Sequence, residues 1–157
     1  MSAALTIVLA SQPPLAPGET LVLWGLRLGA AHAANGPVIE QEMTLAYGPL
    51  NGPRAAGALG RLAEVLARHG RRPPRLGHPA DPAPTPDERS ILLLLAASQA
   101  RHWALRDALL LWLVTPAGRD MAAAAALALA GALAHGGHTL PLPPQAHPAQ
   151  PRARALP

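Results

Sequence analysis

Thirteen arginines and no lysine give this 157-residue chain its main chemical capacity. Arginine presents a planar fork of donors that grips phosphate or carboxylate at two points, where lysine offers a mobile point charge. Six arginines gather in one stretch. Arg54, Arg61 and Arg68 recur at intervals of seven, so on a helix they drift only slightly and form one basic stripe. The stripe runs into Arg71, Arg72 and Arg75, with His69 beside them. Such a surface suits an acidic patch on a protein or the phosphates of a nucleic acid. No aromatic residue interleaves with these arginines, so base stacking is not provided locally, and no helix-turn-helix pattern is evident. An acidic protein is therefore the expected partner, with nucleic acid as the alternative. A GC-rich genome would enrich Ala, Arg, Gly and Pro together, so the arginine excess alone names no partner; the formal charge of +4 is modest.

The other reactive residues lack partners at useful spacing. His135 and His138 flank Gly136-Gly137, and His147 follows, but a zinc site needs three or four ligands on a firmer frame. His69 and His78 have the same weakness, and no metal is expected. Glu40 and Glu42 stand two apart on a helix and point apart, while Asp87 and Glu88 serve a helix cap, so neither pair suits acid–base work. Ser90 and Ser98 lack the strand-turn-helix setting of a nucleophile elbow. Gly57 and Gly60 follow no strand, so they form no phosphate loop and are expected to let helices pack closely. Pro79-Ala80-Asp81-Pro82 is a minimal PxxP, a pattern read in the polyproline conformation. The absence of cysteine removes disulfides and thiolate chemistry and is compatible with the cytoplasm, the expected location. An enzyme would need a site assembled from distant residues such as His102, Arg106 and Asp107, and their spacing gives it no support. The expectation is a non-enzymatic interaction or adaptor protein without a cofactor.

The elements that must position the arginines are helices. Gly36-Pro37, Gly48-Pro49 and Gly52-Pro53 each pair a helix-ending residue with a helix-starting one. The first helix is expected over about 19–34, with Leu21, Trp24 and Leu28 on its buried face and Arg27 off it. The second covers about 38–47, with Ile39, Met43 and Ala46 as its apolar stripe. The third covers about 54–69, with Leu59, Leu62 and Leu66 inward and a Glu64–Arg68 pair outward. Thr85-Pro86-Asp87-Glu88 reads as a capping box opening a fourth helix, whose apolar run over 91–97 predicts a central position. Polarity returns near 99–103, so 88–114 is expected to be a hairpin or a kinked helix. A last alanine-rich helix is expected over about 119–135.

These elements predict an all-α, bundle-like single domain of five to six helices over 1–140, with halves at about 18–70 and 85–136. A proline-rich connector, 71–85, joins the halves, and a disordered tail is expected over 141–157. An extended arm is expected at 5–9. The apolar run 121–134 is too short to span a bilayer, so no membrane span is expected. Its alanine-rich surface could instead pack helices closely, within the fold or across a homodimer.

Overall fold

The computed structural model describes residues 14–144, so the arm expected at 5–9 and most of the expected tail lie outside the described residues. Among the described residues the fold is all-α: α1 (Pro17–Ala31), α2 (Gly36–His69), α3 (Pro86–Gln99), α4 (Trp103–Leu113) and α5 (Arg119–His135). Short 3-10 turns, Ala33–Asn35 and Pro116–Gly118, precede α2 and α5. The expected second and third helices are both present, as two helical segments of α2 that meet at a sharp break where Gly48 takes the non-helical φ 87° and ψ 171°. Pro49 and Pro53 follow the kink, and each removes an amide donor from the helical ladder. The expected hairpin over 88–114 is present. Arg101 adopts a left-handed φ of 57° between α3 and α4, and His102 Nδ1 accepts from the Leu105 amide to cap α4.

The core is built by leucine and closed by alanine. Leu62 of α2, Ile91, Leu94 and Leu95 of α3, and Leu129 and Leu133 of α5 are all fully buried. Each stabilises the fold by about 1.5–3 kcal/mol relative to an exposed side chain. Residues 91, 92, 94 and 95 put α3 at the centre of the packing. Ala55 and Ala58 of α2 and Ala122, Ala125 and Ala126 of α5 are all buried in the same core cluster, and small side chains on both helices let them lie close. Gly57 and Gly60 do not serve that contact; they face outward. One core cluster draws on both sides of the proline-rich connector.

Helix α1 turns another face inward than its periodicity suggests, whereas α2 keeps its expected Ile39 and Met43 buried and departs at one position. In α1 the buried side chains are Val22, Leu23 and Leu26, while Leu21, Trp24 and Leu28 are only partly covered. In α2 Tyr47 is buried and Ala46 is exposed. Burial pushes the Tyr47 hydroxyl up to about 12, and it pairs with His138 Nδ1 at 3.0 Å.

The larger correction is Arg27, expected off the apolar face and in fact 4% exposed. Its Nε and Nη2 donate to both Glu88 carboxylate oxygens at 2.8 and 2.9 Å. Its Nη1 donates to the Asp81 carbonyl at 2.7 Å and Nη2 to the Ala83 carbonyl at 3.0 Å. Glu88 also accepts from the Thr85 amide, completing the expected capping box, and from the Gly77 amide. The connector is thereby strapped to α1 and α3 along its length. Its PxxP segment is a turn, with the Asp81 amide donating to the His78 carbonyl and Asp81 Oδ2 accepting from the His78 amide.

The chain beyond α5 is also tied down. Gln99 Nε2 donates to the Ala130 and His138 carbonyls, and its Oε1 accepts from the Leu140 amide at 2.6 Å. Leu140 is buried and Leu142 packs against the core.

Candidate functional site

Helix α2 after its kink carries the arginine stripe. Leu59, Leu62 and Leu66 face the core, so the intervening positions Arg54, Arg61 and Arg68 emerge together on the outer side, all exposed. Arg68 makes the expected i, i+4 pair with Glu64 at 3.0 Å, and both side chains are open to water. Such a pair contributes little. Arg54 and Arg61 form no salt bridge among the described residues.

Beside the stripe lies α5. Residues 121–134 hold no polar side chain. Ala122, Ala126 and Leu129 are spent on the core, which leaves Met121, Ala124, Leu127 and Ala128 exposed on the outer face, Met121 to 47% and Leu127 to 45%. Two hollows separate this face from the arginines. One, of about 570 Å³, sets Arg61, Arg68 and His69 opposite Met121 and Ala124. The other, of about 390 Å³, sets Arg54 and Arg61 opposite Leu127, Gly131 and His135. Both include Arg61 and Ala128, so they run end to end as one groove with an apolar floor and a basic lip. Together with the 3-10 turn before it, the stretch Pro116–His135 is long and apolar enough to cross a membrane by length and composition, but its inner side carries core residues of this domain.

The three remaining arginines of the sequence cluster turn away from the groove. Arg72 Nη1 and Nη2 grip the two Asp87 carboxylate oxygens, each at 2.7 Å. That contact, foremost, holds the Asp87 carboxyl below its usual range; the Arg75 amide, donating at 2.6 Å, assists against the opposing effect of burial. Arg71 Nε donates to the Leu111 carbonyl at 2.7 Å. The Arg75 side chain is exposed. Arg71 follows directly on a single antiparallel bridge between Gly70 and Val114, which pins the end of α2 to the end of α4. As a result Trp112, 70% exposed, stands beside Arg71 and Arg72 around a hollow of about 210 Å³. The sequence places no aromatic residue near these arginines; the fold brings one from forty residues away.

The other candidates disperse. His102 caps α4, and Arg106 pairs with its neighbour Asp107 on the surface while lying 4.6 Å from the Trp103 ring centre. His135 bonds the Gly131 carbonyl and His138 bonds Tyr47, and no group of three or more metal-ligating side chains forms among the described residues. His147 lies outside the described residues. No protein-family model, curated protein or solved structure matches this chain.

Proposed function

We propose that this protein is a non-enzymatic interaction module that captures an acidic protein partner along the groove between α2 and α5. One observation carries the reading. Arg54 and Arg61, without a salt bridge, border a helix face that has no charge of its own from Met121 to Ala134. Apolar area supplies affinity, and the arginine lip selects the sign of the partner and speeds encounter. Of the six arginines of the sequence cluster, Arg54, Arg61 and Arg68 are assigned to the partner. Arg72 is assigned to Asp87 inside the chain, so reversing its charge would damage the fold and report nothing about binding.

The test is capture of partners from the native host, with and without nuclease, for the wild type and for Arg54→Glu/Arg61→Glu. Both positions are exposed, so the variant should keep its circular dichroism and melting temperature. A partner that survives nuclease and is lost from the variant is the expected result. Equal capture by both proteins would sink the groove assignment.

A second reading has its own observation. Exposed Trp112 beside Arg71 offers a base-stacking surface next to a phosphate-binding group. It is favoured if capture disappears with nuclease and if Trp112→Ala removes it.

A further inference from the structure

We infer that the occupant of the groove is an amphipathic helix of about 18 residues, with an apolar stripe edged by acids at seven-residue spacing; this rests on the interaction-module reading. The groove runs beside α2 from Asn51 to His69, a length of about 27 Å at 1.5 Å per residue. A single helix matches that length and straightness. Arg54, Arg61 and Arg68 repeat about every 10 Å along the lip, the interval at which a heptad pattern returns acids to one edge of a facing helix. Opposite them, Ala124, Ala128 and Gly131 offer shallow holes. Larger side chains of the occupant fill these as knobs, so its backbone approaches closely.

Charge decides between occupants. A second copy laid lip over lip would set two arginine stripes against each other, and one laid the other way would set Arg54 and Arg61 over a helix face that holds no acid from Met121 to Ala134. The acid on the lip, Glu64, already faces Arg68. The flanking segments of this sequence supply no acid either: residues 1–13 hold no charged side chain, and residues 145–157 hold Arg152 and Arg154 and no acid. An occupant with acidic edges satisfies Arg54 and Arg61 and covers the apolar floor together.

Two fluorescent 18-residue helical peptides test this. They share one leucine and alanine stripe; one carries Glu along both edges and the other Lys. By anisotropy at 0.15 M salt the Glu peptide is expected to bind the wild type at least tenfold tighter than the Lys peptide, with affinity falling as salt rises. Arg54→Glu/Arg61→Glu should reverse the preference. Ala128→Glu, at an exposed position on the floor, should weaken the Glu peptide while leaving the circular dichroism unchanged. Equal binding of both peptides, or none, overturns the helix. So does a wild-type dimer in sedimentation that Ala128→Glu dissociates, which would make the occupant a second copy. If the peptides fail but the cellular partner still depends on Arg54 and Arg61, the interaction module stands and only the helical occupant falls.

Discussion

Arg27 shows how a single residue can decide the course of a proline-rich segment. A buried guanidinium with one carboxylate would leave donors unsatisfied; here the two carboxylate oxygens of Glu88 and the carbonyls of Asp81 and Ala83 accept from it. Removing one partner of a buried pair costs about 3–5 kcal/mol, because the other charge is left in the interior. Arg27→Met should therefore lower stability by about that amount in urea denaturation. A loss under about 1 kcal/mol would mean that water reaches Glu88 and that the pair is not buried in solution. The same cluster sets the response to acid. Burial pushes the Glu88 carboxyl up, but Arg27 and the Thr85 and Gly77 amides outweigh it, and its titration lies below the usual range. Asp87 is likewise held low, chiefly by Arg72. In the unfolded chain both protonate near the ordinary carboxylate values of roughly 4. Their contribution is therefore complete above that range and lost as pH falls below it toward the folded values. Melting temperature should be flat from neutral pH to about 5 and fall below roughly 4. Asp87→Asn should make that fall shallower; an unchanged slope would remove Asp87 from the account.

At the scale of elements, what could be read in the sequence followed from how sharply each segment separates polar from apolar positions. The capping box at Thr85 was legible because three neighbouring residues complete it. Helix α3 was legible because an apolar run of that length has nowhere to go but the core. Helix α1 misled. Leu21, Val22, Leu23, Trp24, Leu26 and Leu28 are apolar on every side, so periodicity carries no phase, and Arg27 would by itself have set the wrong one. What turns Arg27 inward is Glu88, 61 residues away, and no local pattern encodes that. The break in α2 was legible in Gly48-Pro49, which pairs a helix-ending residue with a helix-starting one. Gly48 lies in a region of backbone space that is essentially closed to residues with a side chain, yet a methyl placed there would meet nothing within 4 Å. Gly48→Ala should thus cost roughly 1–3 kcal/mol through the backbone alone. Gly52, with an ordinary φ, is the contrast, since a methyl there would collide with the Thr44 backbone. If Gly48→Ala is neutral in thermal melts, the kink relaxes and does not depend on glycine.

Across the whole molecule, the two halves of the sequence are joined by a strap and share one core. Leucine and alanine on α2, α3 and α5 form a continuous cluster, which spends the inner sides of these helices and leaves the outer side of α5 bare beside the arginines. The stripe itself was legible from its spacing; the apolar wall opposite it was not, because α2 and α5 become neighbours only in the folded domain. The connector at 71–85 was legible, but what holds it was not, for a related reason. Five prolines between 71 and 85 forbid a helix, but they do not decide whether the segment floats or is held. Holding comes from Arg27, Asp87 and Glu88, which bond the connector at Gly77, Asp81, Ala83 and the Arg75 amide. Protease attack requires a segment to open locally, so protection measures how firmly the strap is bound. Trypsin should cut the wild type slowly at Arg75–Leu76 even though the Arg75 side chain is exposed. In Arg27→Met, under conditions where circular dichroism still reports a folded domain, that bond should become the first site of cleavage. Equal rates in the two proteins would mean that the strap opens as often with Arg27 as without it, and that the guanidinium stabilises the junction of α1 and α3 while leaving the connector free.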